Sequence, residues 1–115
     1  MINGLHLLLY SQDSEADRAF VRDVLGWPSV EDFPGWLIFK TPVSELGVHP
    51  TDGAPFAELN LMCDDLQATV AELSAKGVPI GEVSEQSWGT VTTVTLPSGA
   101  TLGLYQPKHA LAIDL

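Results

Sequence analysis

The hydrophobic residues form one pattern that occurs twice along the chain. An apolar run typical of a β-strand, at residues 4–10 and again at 56–62, leads into a segment with helical spacing, at 15–25 and again at 66–76. Equivalent positions lie 52 residues apart, as His6 and Glu58 do. The repeat predicts two copies of one supersecondary unit.

Capping residues and apolar stripes mark the two predicted helices. Either of two neighbouring residues can cap each N-terminus, and a glycine ends each helix. The capping candidates are Asp13 or Ser14 and Asp64 or Asp65, and the glycines are Gly26 and Gly77. The stripes predicted to face the core are Ala16, Phe20 and Val24, then Leu66, Val70 and Leu73.

Each half closes with β-rich runs. Residues 36–40 and 45–50 in the first half parallel 90–96 and 101–107 in the second. The sequence Pro97-Ser98-Gly99 favours a tight turn, so the last two strands should form a hairpin. Each half therefore reads as a strand, a helix and two or three antiparallel strands, which predicts an α+β fold. The modules are residues 1–50 and 56–108, with a linker at 51–55 and a tail at 109–115.

Composition narrows the class of protein. The chain has 115 residues, enough for one domain, and a formal charge of -10, which disfavours nucleic acid and anionic membrane surfaces as partners. Cys63 is the single cysteine, so one chain can form neither a disulfide nor a cysteine-based zinc site. The N-terminal apolar run is too short for a signal peptide or a membrane span, and a reducing cytoplasm is expected.

Several motifs, taken in order, resemble the vicinal oxygen chelate superfamily, which includes glyoxalase I, extradiol dioxygenases and bleomycin-binding proteins. They are Phe20 with Val24-Leu25-Gly26-Trp27, residues 70–78, Ser87-Trp88-Gly89, and Leu96-Pro97-Ser98-Gly99 leading to Leu104-Tyr105-Gln106-Pro107. The resemblance implies the glyoxalase/bleomycin resistance/dioxygenase fold: two βαβββ modules form a curled mixed sheet around a central cleft. It also implies a homodimer.

The resemblance places the family's four metal-ligand positions on His6, Gly47, Glu58 and Gly103. Glycine has no side chain, so this site is incomplete and no cofactor is expected. The alternative is a divalent metal (iron, manganese, nickel or zinc) held by His6, His49 and Glu58, because two histidines and one carboxylate are a known ligand set. Otherwise His6 and Glu58 are expected to hydrogen-bond each other.

Strand alternation predicts which side chains face the cleft, because residues two apart share a face. The cleft-facing polar set is His6, Tyr10, Glu45, His49, Glu58, Asn60 and Tyr105, whereas Leu5, Leu7, Leu9, Leu59, Leu61 and Cys63 should face the helices. Trp88 is the best aromatic candidate for ligand binding because it lies at a junction between a loop and a strand. Trp27, Phe33 and Trp36 are more typical of core packing.

Three functional hypotheses follow. The first is a cytoplasmic, dimeric small-molecule-binding protein whose ligand contacts come from Tyr10, His49, Asn60, Trp88 and Tyr105. The second is an enzyme: a metal-dependent lyase or dioxygenase that uses His6, His49 and Glu58, or a metal-free acid–base catalyst that uses His6 and Glu58. The third is a structural or regulatory dimer. His109 and the tail are expected to be peripheral or to contact a partner, with no chemistry.

Overall fold

The chain adopts an α+β fold with two helices and two separate sheets. The structure is a computed structural model that describes Met1 and residues 6–115, so the predictions for Gly4 and Leu5 lie outside the described residues. The helices are α1 (Ser14–Phe20), continued by a π-helical turn (Val21–Leu25), α2 (Leu66–Ala75) and a short 3-10 turn (Ala112–Asp114). The strands are β1 (Ser29–Glu31), β2 (Leu37–Phe39), β3 (Asn60–Met62), β4 (Ser84–Gln86), β5 (Gly89–Thr95) and β6 (Thr101–Pro107).

Both helices begin at one of their predicted caps. An Asp13 carboxylate oxygen accepts the Ala16 N–H at 3.2 Å, and an Asp65 carboxylate oxygen accepts the Ala68 N–H at 3.0 Å. These bonds satisfy amide groups that have no partner within the first turn of a helix. Of the candidates at each N-terminus, the chain therefore uses Asp13 and Asp65.

The end of the first helix differs from the prediction. An α-helix was expected over residues 15–25, but α1 ends at Phe20 and the next five residues form the π-helical turn. The Gly26 N–H donates to the Val21 carbonyl, five residues earlier, which widens the last turn. Gly26 then leaves the helix with φ 72°, a left-handed conformation that glycine adopts readily.

The larger sheet has four strands in the order β3-β6-β5-β4. Strand β3 runs parallel to β6, and the other neighbours are antiparallel. Strands β5 and β6 form the predicted hairpin, whose turn is closed by the Leu96 N–H donating to the Ala100 carbonyl at 2.8 Å. Strands β1 and β2 form a separate antiparallel pair.

The core lies between the helices and one face of the four-stranded sheet. Val94, Leu102 and Leu104 are buried on that face, and the helices add Phe20, Leu66 and Leu73. Leu59, Leu61 and Cys63 pack against this cluster, as strand alternation predicts. The opposite face of the sheet is left open, and it carries the candidate site.

Two predicted elements of the first module are wrong for the single chain. Residues 6–10 and 45–50 have no strand structure, and Leu7 and Leu9 are 54% and 44% exposed instead of facing a helix. A strand forms only where a neighbour receives its backbone hydrogen bonds. Within the described part of one chain, these runs have no such neighbour.

The two modules are joined by a buried carboxylate that the sequence did not indicate. Asp17 on α1 is 5% exposed, and its two oxygens accept the Ser98 N–H at 3.0 Å and the Ser98 hydroxyl at 2.7 Å. Ser98 lies in the turn between β5 and β6. Asp17 therefore fixes the first helix to the second module's hairpin.

Candidate functional site

The candidate site lies on the open face of the four-stranded sheet. Strand register places Asn60 opposite Gly103 and Met62 opposite Tyr105, while Val91 lies on the other side of Tyr105. Residues directly opposite one another in neighbouring strands share a face. Three strands therefore present one continuous surface, as predicted for Asn60 and Tyr105.

Tyr105 is the centre of this surface. Its ring meets Trp88 edge-on, with ring centroids 5.8 Å apart, and Trp88 is half-exposed in the tight turn before β5. An edge-to-face pair of this kind is a favourable aromatic geometry. Partial burial is the main cause that raises the pKa of Tyr105, and the nearby Glu45 carboxylate is the second. The phenol therefore keeps its proton at neutral pH.

Two polar side chains meet the Tyr105 hydroxyl. A Glu45 carboxylate oxygen lies 3.4 Å from it, and the His109 Nε2 lies 3.2 Å from it. The same Glu45 oxygen is 3.8 Å from the His109 Nε2, and the other oxygen accepts the Ala112 N–H at 2.8 Å. Glu45 thus connects β6 to the C-terminal tail.

The tail also forms one wall of a cavity. The cavity has a volume of about 510 Å³ and is lined by Met62, Cys63, Asp64, Gln106, Pro107, His109, Leu111 and Ile113. Burial raises the pKa of the Cys63 thiol, which suits its predicted role as a small buried apolar side chain. The cavity lies beside the Tyr105 cluster because His109 belongs to both.

His109 was expected to be peripheral or to contact a partner, and its contact with Tyr105 was not predicted. The tail turns back after β6, which brings the imidazole against the Tyr105 phenol. The only available signal was the spacing of four residues between the two aromatic rings. Spacing at the end of a strand does not define a direction, so sequence reasoning missed the contact.

Gly103, a family ligand position, has no room for a side chain. A Cβ built on Gly103 would collide with the side-chain oxygen of Asn60, which lies across the glycine. Gly47, the other glycine at a ligand position, has open space around it. The Asn60 amide therefore occupies the place that a ligand residue at position 103 would need.

The remaining candidate ligands are exposed and form no metal-binding group among the residues that the structure describes. His6, His49 and Glu58 are exposed, and Tyr10 is 88% exposed. The His49 Nδ1 lies 2.7 Å from the Pro50 carbonyl oxygen. The hydrogen bonds between described residues include none that joins His6 to Glu58.

Taken together, the donor set does not fit the family metal. Among residues 6–115 no group of three or more histidine, cysteine, aspartate or glutamate side chains could hold a metal ion. A metal site needs its ligands within bonding distance of one point. Two of the four family positions carry no ligand atom, and Asn60 fills one of them.

Comparison with solved structures gives the class of protein. An antibiotic binding protein from a Streptomyces species, TnmS3, is similar at 26% identity with a TM-score of 0.68, over 93% of this chain and 98% of that one. A glyoxalase/bleomycin resistance protein from a Streptomyces species is similar at 25% identity with a TM-score of 0.58, over 84% and 93%. A lactoylglutathione lyase from Agrobacterium tumefaciens, at 20% identity and a TM-score of 0.62 over 85% and 88%, shares the fold.

The chain therefore has the glyoxalase/bleomycin resistance fold, and its resemblance to the vicinal oxygen chelate superfamily is confirmed. No protein-family profile and no curated protein sequence matches it. Over the part of the chain that the structure describes, no helix is long and apolar enough to cross a membrane.

Proposed function

We propose that this protein binds a small aromatic molecule on the open sheet face without the family metal. The observation that carries the proposal is the aromatic pair of Trp88 and Tyr105 together with the Asn60 amide, which lies over Gly103 on the same face of the sheet. Two aromatic rings offer stacking surface, and the Asn60 amide offers a hydrogen-bond donor and acceptor. Small-molecule sites commonly combine an apolar lining with a few polar groups.

Two further observations support binding over metal-dependent chemistry. One similar structure is that of an antibiotic binding protein, and it covers nearly the whole of both chains. The donor set described above lacks two of the four family ligands. The net charge of -10 and the Glu45 carboxylate favour a ligand that is neutral or cationic.

Binding of proflavine, a planar aromatic cation, tests the proposal by fluorescence anisotropy. Replacing Trp88 with alanine removes half of the aromatic pair, so the dissociation constant should rise by about two- to tenfold, the effect of losing one aromatic contact of about 0.5–1.5 kcal/mol. Trp36→Ala is the matched control, because Trp36 is similarly exposed but lies under Arg18 beside the β1–β2 hairpin. Equal weakening by both variants, or no binding to the wild type, would refute the proposal.

We further propose that the protein is a homodimer in which a second copy covers the unpaired runs. A compact chain of this mass exposes about 6,100 Å², whereas this chain exposes 8722 Å². The excess of about 2,600 Å² per chain is enough for an interface in the upper range of permanent dimers, about 2,000–5,000 Å² in total.

The exposed apolar residues lie where such an interface is needed. Leu8, Leu46, Val48 and Phe56 are 61% to 93% exposed, and they fall in or beside runs that the sequence pattern predicts as strands. Exposed strand-like runs pair readily with another chain. Light scattering coupled to size exclusion should give twice the 12.3 kDa chain mass, and a monomer mass at micromolar concentration would contradict the dimer. The lone cysteine supports the cytoplasm as the compartment.

A further inference from the structure

The protonation state of His109 decides which contacts in the cluster of Glu45, Tyr105 and His109 can be hydrogen bonds. The His109 Nδ1 lies 2.8 Å from the Ala110 carbonyl oxygen, and its Nε2 lies 3.2 Å from the Tyr105 hydroxyl. A carbonyl oxygen can only accept, so the Nδ1 must carry a proton for that contact to be a hydrogen bond. A neutral ring then has no proton left for the Nε2.

With neutral His109, the Tyr105 hydroxyl cannot satisfy both of its partners. Its single proton goes either to the His109 Nε2 or to the Glu45 oxygen 3.4 Å away. In either case the phenol oxygen faces its other partner with no proton between the two acceptor atoms. The raised pKa of Tyr105 keeps this proton on the phenol rather than releasing it.

With protonated His109, every contact has a donor. The Nδ1–H donates to Ala110, the Nε2–H donates to the phenol oxygen, and the phenol O–H donates to Glu45. The imidazolium also lies 3.8 Å from the Glu45 carboxylate, whose side chain is 14% exposed. Partial burial of the carboxylate weakens solvent screening of this attraction.

We infer that the cluster is a proton-dependent latch, which holds the C-terminal tail against the sheet face when His109 is protonated and releases it when His109 is neutral. The tail is fixed through Glu45, because the second carboxylate oxygen accepts the Ala112 N–H at 2.8 Å. Two residues of the held tail, Leu111 and Ile113, line the neighbouring cavity. As a regulator of ligand entry, the latch depends on the proposed function above.

The other ionisable groups around His109 do not supply the missing proton. Asp64 and Cys63 line the far side of the shared cavity. The neighbouring Lys108 is engaged elsewhere, since its ammonium donates to Glu85 at 2.9 Å. Asp114 lies further along the tail. Histidine is the side chain whose charge ordinarily changes between about pH 5 and 8, which sets the pH range of the test.

Hydrogen exchange of the Ala112 amide tests the latch in the ligand-free protein. After correction for the intrinsic rate, Ala112 should be protected at least about fivefold more at pH 5.5 than at pH 8, because local opening limits its exchange. His109→Gln and Glu45→Gln should each remove this difference, and the Glu45 variant keeps an oxygen that can accept the amide. His49→Gln is the matched control: His49 has the same contact to the next carbonyl but no phenol or carboxylate partner among the described residues.

A pH-independent Ala112 amide, or a pH difference that survives His109→Gln, would overturn the latch. Proflavine binding then separates the latch from the site. The held tail engages the Tyr105 hydroxyl, and protonated His109 adds a positive charge beside it. Proflavine should therefore bind the wild type several-fold more weakly at pH 5.5 than at pH 8, and it should bind the His109→Gln variant equally at both pH values. Equal wild-type binding at both pH values would overturn regulation by the latch, whereas absent binding at both with intact Ala112 protection would count against the proposed function alone.

Discussion

Replacing Asp17 is the most informative perturbation of stability, because its buried carboxylate bonds helix α1 to the hairpin turn of the second module. Asp17→Ala removes the two carboxylate oxygens that accept the Ser98 N–H at 3.0 Å and the Ser98 hydroxyl at 2.7 Å. Asp17 is 5% exposed, so water does not readily replace the lost carboxylate. The change therefore leaves two polar groups unpaired in a partly buried turn.

The magnitude follows from these two bonds. A hydrogen bond to a charged group contributes about 1.5–3 kcal/mol, and an unsatisfied buried group costs about 1–3 kcal/mol. Partial re-solvation of the turn offsets some of this loss, so we expect Asp17→Ala to lower the free energy of unfolding by about 2–4 kcal/mol. Asp17→Asn keeps one oxygen for the Ser98 N–H and should lose about half as much.

Urea unfolding, followed by tryptophan fluorescence at one fixed protein concentration, measures the change. Asp23→Ala is the matched control. Asp23 is an aspartate of the same helical segment, but it is exposed, and its ion pair is with the exposed neighbour Arg22. This control should unfold like the wild type. An unfolding free energy for Asp17→Ala within about 0.5 kcal/mol of the wild type, the usual range of surface substitutions, would refute the account of how the modules are joined.

Two further predictions use paired variants. Gly103→Ala should destabilise the fold by about 1–3 kcal/mol, the usual cost of overpacking, because the new Cβ meets the Asn60 side chain. Adding Asn60→Ala to this variant should relieve the cost. Gly47→Ala is the control and should be near neutral, because Gly47 has open space around it. Because folding raises the pKa of Tyr105, its contribution to stability is present below the ordinary tyrosine value of about 10 and is lost as the pH rises through the folded value. Tyr105→Phe should abolish that alkaline loss, whereas Tyr10→Phe, at an 88% exposed site, should leave it; the reverse pattern in unfolding curves at rising pH would contradict the assignment.

Although its first strand, predicted at 56–62, forms only at Asn60–Met62, most of the second module could be predicted from the sequence. Its helix cap at Asp65, its hairpin turn and the helix-facing residues Leu61 and Cys63 all depend on neighbours close in the chain or on strand alternation. Local chemistry of this kind is written directly in the sequence. The repeat and the motifs then identified the fold class.

The first module could be predicted less well, for a physical reason. Hydrophobic alternation shows that residues 45–50 can form a strand, but it does not show which strand receives their hydrogen bonds. Among the described residues of one chain, these residues have no such neighbour, and Val48 is 93% exposed. A pattern can therefore predict the capacity for a strand while the partner decides whether the strand exists.

The positions of three candidate residues could be predicted, whereas the contacts around them could not. Asn60, Trp88 and Tyr105 lie where alternation and loop position placed them. The Tyr105–His109 contact depends on how the tail turns after β6. The position of the Asn60 side chain over Gly103 depends on the register between the parallel strands β3 and β6. Neither feature has a local sequence signal.

The most direct test of the central claim is a map of backbone and indole chemical-shift changes on titration with proflavine in the presence of a chelator. The account predicts that the Trp88 indole and the amides of Asn60, Gly103 and Tyr105 shift together, with one affinity and without added metal. Shifts confined to the hairpin around Phe33 and Trp36, or binding that appears only when a divalent metal is restored, would contradict it.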